Sequence, residues 1–257
     1  MASDDDRPPA AGVAEVVTRL RGRLDALPEE LAHRAFFLGT YLRTTKAVGD
    51  AIERAGFEDP DWVDAWDVKF AELYLDAHDA DLGGRPAAVA RPWRLAFDAP
   101  ADLPPLLHVL LGINAHVNYD LPQALLAVIS DEDFADPMLI DRRRRDHERI
   151  DAVLASRVSA EDDQLSAVST KRLLDRMLTP LNRLSSRRFL RESREKVWHN
   201  TAELQQARVQ GPEAYAVRLA ELELLSAAKI AELLRPGQVL LRLAVAGFGV
   251  TLPPASR

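Results

Sequence analysis

Asn114-Ala-His-Val-Asn-Tyr-Asp-Leu-Pro122 places four side chains that need hydrogen-bond partners inside a helical stretch that is otherwise apolar. Projected at about 100° per residue, Leu106, Leu110, Ile113, Val117 and Leu121 make one stripe. Asn114 and Asn118 lie on one flank of it, His116 and Asp120 on the other. A helix patterned this way is buried on most of its sides. Burying such groups unpaired costs roughly 1–3 kcal/mol each, so each must meet a side chain, the backbone, water, a metal or a ligand. The stretch marks a site in the middle of a helical fold without naming its chemistry.

Working outward, the same helical spacing recurs. Val13, Val16, Val17, Leu20, Leu24 and Leu27 predict a first helix, and Pro28-Glu29-Glu30 starts a long second one over Leu31 to Ala55, ending near Gly56. Asp59-Pro60-Asp61 opens a third that runs through Trp62, Trp66, Phe70, Leu73 and Tyr74 to about His78, before the Gly83-Gly84-Arg85-Pro86 break. Pro86 to Pro105 holds five prolines and reads as an extended crossover, with Trp93, Leu95 and Phe97 spaced by two over the core. Leu106 to Tyr119 is the central helix, and Asp120-Leu121-Pro122 can start the next, to about Ile129. Further helices are expected over Asp136 to Ser156, Ser169 to Leu178, Ser185 to Gln210 and Pro212 to Leu234.

The fold class is therefore all-α, a single-domain multi-helix bundle with a proline-rich crossover. Residues 1–10 are expected to be disordered, 11–238 to form the helical domain, and 239–257 to be an apolar tail packed on the domain or on a partner, a second copy included. That tail is too short, and with Arg242 and two glycines too interrupted, to cross a bilayer core of about 30 Å. The acidic start has no apolar core of a secretory signal, so cytoplasmic residence is the default expectation. A net charge of −7 opposes general attraction to nucleic acid. Without cysteine there is no disulfide, thiolate metal site or cysteine nucleophile. Neither a phosphate loop nor a Gly-x-Gly-x-x-Gly nor a Gly-x-Ser-x-Gly elbow occurs, which leaves nucleotide cofactors and serine-hydrolase chemistry without a motif.

Tyr41 with Thr45 and Val48, Phe57 before Asp59-Pro60, Phe70 and Tyr74, Pro92-Trp93, the Asn114 to Pro122 run, and Arg194 four residues before Trp198 together carry a resemblance. The chain resembles an uncharacterised bacterial family, common in actinobacteria, whose hallmark is Leu-Gly-x-Asn-Ala-His-x-Asn-x-Asp-Leu-Pro, here Leu111 to Pro122. The resemblance implies a helical protein organised about His116 and Asp120, and supplies no reaction, cofactor or substrate. The Arg142 to Arg145 block, with Asp146-His147, and the Val239 to Leu252 tail depart from the family pattern.

Four residues apart on a helix, Asp120 can orient the His116 imidazole and raise its basicity, which suits proton transfer or metal ligation. The alternative is that Asp120 caps the next helix while His116 bonds a loop carbonyl. Asn114 and Asn118 can read a substrate at any pH, or tie helices together. Tyr41, Thr45, Trp93, Arg194 and Trp198 are further candidates to wall a substrate pocket, the arginine holding a carboxylate. A metal held through His116 and Asp120 would, with nitrogen and oxygen ligands, suit zinc, iron or manganese. The leading expectation is a small-molecule enzyme of bacterial, and even specialised, metabolism, with His116 and Asp120 catalytic. A non-catalytic helical ligand-binding or assembly protein is the alternative. The arginine block, bracketed by Asp141 and Asp146, reads as a solvated helix face.

Overall fold

The computed structural model describes residues 11–150, 153, 173–237, 239, 243 and 247–254, with side-chain surroundings given outside 173–191. All regular elements among them are helical: α1 (Ala11–Asp25), α2 (Ala35–Glu53), α3 (Pro60–Leu82), α4 (Arg91–Phe97), α5 (Pro105–Ala115), α6 (Leu121–Val128), α7 (Asp131–Ala135), α8 (137–150), α9 (Leu173–Gln210) and α10 (Pro212–Leu233). Tight 3-10 turns precede α2 (Glu29–Arg34) and α4 (Pro86–Ala88). No helix among the described residues is long and apolar enough to cross a membrane. The expected segment 1–10, the end of the helix expected to reach Ser156 and the start of the one expected from Ser169 lie outside the described residues.

Local chemistry accounts for the element ends. Asp59 accepts from the Trp62 backbone N–H at 3.1 Å and Pro60 opens α3, as its spacing predicts. Ala55 takes φ +53°, and Gly56 N–H bonds the Ala51 carbonyl at 3.0 Å, closing the end of α2. The described part of 173–210 is one helix, where the sequence predicts a break before Ser185.

The proline-rich segment differs from the extended crossover. Pro86 and Pro92 each fall in a first helical turn, where a missing N–H costs nothing, so the segment winds into a 3-10 turn and α4. The operative spacing there is four. Trp93 and Phe97 stack at 5.2 Å on the buried face of α4, whereas Leu95 is only half-buried. A spacing of two and a spacing of four share Trp93 and Phe97, and only the backbone distinguishes them.

The main core joins α1, α2, α3, α4, α5 and α10 around Leu20, Leu38, Leu75, Trp93, Leu111 and Ile230. A second, around Trp62, Trp66, Phe70, Leu125 and Trp198, lies between α3, α6, α8 and α9. The segment joining α5 to α6 touches α3, α9 and α10. The Asn114 to Pro122 run is thus at the junction of the two cores.

Candidate functional site

His116–Asp120 is a single π-helical turn that joins α5 to α6 without a break. Pro122 explains it. In a regular α-helix its ring would collide with the Asn118 carbonyl and it has no N–H to give that carbonyl. The chain instead widens, and Leu121 N–H reaches back five residues to the His116 carbonyl. Such turns recur at functional sites. Asp120 consequently has helical backbone angles and makes no cap, which removes the capping alternative.

The Asp120 carboxylate is occupied differently. Its Oδ2 accepts from His116 Nδ1 at 2.8 Å and from Trp93 Nε1 at 2.8 Å. All three residues are buried, at 2%, 3% and 1% exposure for Asp120, His116 and Trp93. Burial pushes the imidazole pKa down and the carboxyl pKa up, while the two donated hydrogen bonds favour the carboxylate. A carboxylate accepting from Nδ1–H fixes the neutral tautomer whose Nε2 lone pair is free.

That Nε2 atom is buried and has no hydrogen-bond partner among the described residues. Rings surround it. Phe70 stacks on the imidazole at 3.5 Å and 7°, Tyr41 meets it edge-on at 4.6 Å, and Trp93, Phe37 and Tyr74 stand 5.8–6.1 Å away. Phe37 also lies flat against Gly112, where an added Cβ would come within 2.3 Å of its ring. Beyond Phe37 a cavity of about 20 Å³, room for about one water, is lined by Arg34, Phe97 and His108 among others.

The remaining predicted residues divide between this centre and other places. Tyr41 and Trp93 belong to it, and the buried Thr45 adjoins Tyr41. Tyr41 and Thr45 lie one turn apart on α2, and burial with the Asp67 charge drives the Tyr41 hydroxyl pKa well up. Asn114 and Asn118 serve the backbone. Asn118 donates to Asn114 Oδ1 at 3.0 Å and to the Phe248 carbonyl at 3.2 Å, and accepts from Val250 N–H at 3.3 Å; Asn114 donates to the Leu110 carbonyl. Arg194 and Trp198 stand at His147 instead, in the second core: the Trp198 ring is 5.9 Å from that imidazole, whose pKa the Arg194 charge helps depress.

Sequence reasoning missed two residues. Asp67, one turn before Phe70 on α3, is 4% exposed, with Oδ2 unpartnered, and burial followed by the Asp64 charge raises its pKa to about 7. The Trp66-Asp67-Val68 sequence carries no signal of this beyond a carboxylate on the apolar face of α3. Asn200 pairs with the Val250 carbonyl at 3.0 Å and the Leu252 N–H at 2.8 Å, repeating on α9 what Asn118 does for the same segment.

Other candidates are spent on ion pairs. Asp79 bonds Arg23 at 2.7 Å and Asp81 bonds Arg34 at 2.6 Å. The arginine block is a partly solvated face that is also paired: Arg142 and Arg143 bond Asp59, Arg145 and the nearby Arg149 bond Glu58, and the fully buried Asp146 accepts from the backbone N–H groups of Glu58 and Asp59. This fastens α8 to the start of α3. Among the described residues no group of three or more His, Asp or Glu is placed to hold a metal ion.

Fold and site together define an all-helical protein built around a buried His–Asp pair on a π-turn. The sequence profile described as "Family of unknown function (DUF5995)" matches residues 13–236, and the chain belongs to that family. No curated protein and no solved structure matches it.

Proposed function

We propose that the protein is a small-molecule enzyme of bacterial metabolism that moves a proton at His116. The observation that carries this reading is the unpartnered Nε2 of an imidazole whose other nitrogen is fixed by Asp120. Asp120 orients the ring and stabilises the imidazolium that forms when Nε2 takes a proton, and Trp93 holds Asp120 in place. The apolar walls of Phe37, Phe70 and Tyr41 exclude water and suit a small, largely apolar substrate that arrives from the Arg34 and His108 side as the Phe37 ring turns aside. Proton transfer is the reading carried forward, because the free Nε2 and the carboxylate on Nδ1 are what the geometry shows.

A second reading, a non-catalytic ligand-binding or assembly protein, draws on the Asn114–Asn118 pair being wholly engaged with Leu110 and 248–250. A screen of small metabolites in deuterated buffer, followed by NMR, distinguishes the two. Wild-type protein is expected to accelerate solvent exchange or conversion of at least one compound by more than about a hundredfold, with folded His116→Ala and Asp120→Asn each losing most of it. Conversion that survives in both variants overturns the assignment; ligand-induced shifts with no conversion favour the second reading.

A further inference from the structure

The arginine block and the Trp198 side of the second core take no part in the His116 site. Between α8 and α9, Phe134, Pro137, Ile140, Arg144 and Trp198 line an open cleft of about 310 Å³, within the size range of small-molecule sites. Arg144 differs from its neighbours. Arg142, Arg143 and Arg145 are each paired with Asp59 or Glu58, whereas among the described residues Arg144 has no acidic partner and lies over the Trp198 ring, 5.3 Å from its centre.

The wall behind the cleft has surplus donors. Trp198 is 7% exposed, and its indole Nε1 is buried with no acceptor among the described residues. Trp62 and Trp66 have the same unmet N–H, and His147, 5.4 Å from Trp66 and 5.9 Å from Trp198, has an unpartnered Nδ1. An indole nitrogen can only donate. A cation on an aromatic face beside an unsatisfied donor is suited to a flat ligand that brings negative charge and acceptor oxygens. Asp141, also on the rim, disfavours a second negative charge.

We propose that this cleft binds a small planar monoanion of the aromatic carboxylate class, its ring against Trp198, Ile140 and Phe134 and its carboxylate on Arg144. The site is independent of the His116 assignment. The four tryptophans give four indole N–H signals in proton–nitrogen NMR spectra, and that of Trp93, bonded to Asp120, reports the other site. Titration with naphthoate is expected to shift the Trp198 signal to saturation and leave Trp93 in place. Naphthoate should bind about tenfold tighter than neutral naphthamide, a preference lost in Arg144→Gln and kept in Arg142→Gln. An unmoved Trp198 signal at millimolar naphthoate, equal affinity for the two probes, or an unchanged preference in Arg144→Gln would each overturn the proposal.

Discussion

His116 and His147 are both buried among aromatic rings, and Phe70 and Trp66, stacked at 5.7 Å, link their surroundings. Their electrical settings are opposite. His116 has a carboxylate on Nδ1, which offsets part of the penalty that burial places on its charged form. His147 has no carboxylate on its unpartnered Nδ1 and has the positive charge of Arg194 nearby, so burial and that charge together lower its pKa to about 3. On the proposed reading the first imidazole accepts a proton with the help of its carboxylate, whereas burial and Arg194 hold the second neutral. Burial alone therefore does not make a histidine a base, and the partner on the second nitrogen decides it.

The largest test of this contrast removes the partner. Asp120→Ala strands the His116 and Trp93 N–H groups in the interior, and a loss of about 3–5 kcal/mol is expected in urea unfolding. A loss below about 1 kcal/mol would mean that the two settings do not differ in the way described.

Acid tests the setting of His147. An unfolded histidine titrates near 6.5, against about 3 here, so between those values the unfolded chain binds the proton that the folded protein rejects. Stability contributed at neutral pH is then lost as pH falls through that window, by roughly 3–5 kcal/mol at its lower end. His147→Phe should flatten this part of the stability profile.

Asp67 gives the opposite slope. Its folded pKa of about 7 lies above the unfolded 3.8, so the folded state holds the proton longer and stability falls as pH rises from 4 through 7. Asp67→Asn should raise stability at pH 8 by about 2–4 kcal/mol and leave it nearly unchanged below pH 4. Calorimetric melting at both values checks it; a variant destabilised at pH 8 would mean that the carboxylate has a partner in solution.

The smallest expected change concerns the fastening of the His147 helix. Asp146→Asn keeps one acceptor oxygen for the Glu58 and Asp59 N–H groups but loses the charge, at an expected cost of about 1 kcal/mol. Hydrogen exchange at those two amides should quicken while that at the π-turn stays constant.

How much of this was legible can be judged residue by residue. The apolar stripe from Leu106 to Leu121 and the four-residue spacing of His116 and Asp120 are local properties, and both predicted an interior helix with its two polar pairs. Pro122 was visible too, but it can either start a helix or widen one. Tyr41 and Trp93 lie against the His116 ring, whereas Arg194 and Trp198, read from the sequence into the same pocket, face His147. Asp67 and Asn200 were overlooked because a lone polar residue on a helix face has no distinguishing local pattern.

The sequence by itself determined the all-helical class, the burial of the Asn114 to Pro122 run and the pairing of His116 with Asp120, because helical periodicity is written into nearest neighbours along the chain. Tertiary structure alone decided that Trp93 completes the carboxylate, that Asn118 and Asn200 bond the backbone of 248–252, that three of the four consecutive arginines pair with acidic residues, and that Asp67 is buried with an oxygen unpartnered among the described residues. Those outcomes depend on contacts between residues some 30 to 130 positions apart, whose partners and dielectric surroundings exist only once the helices have packed.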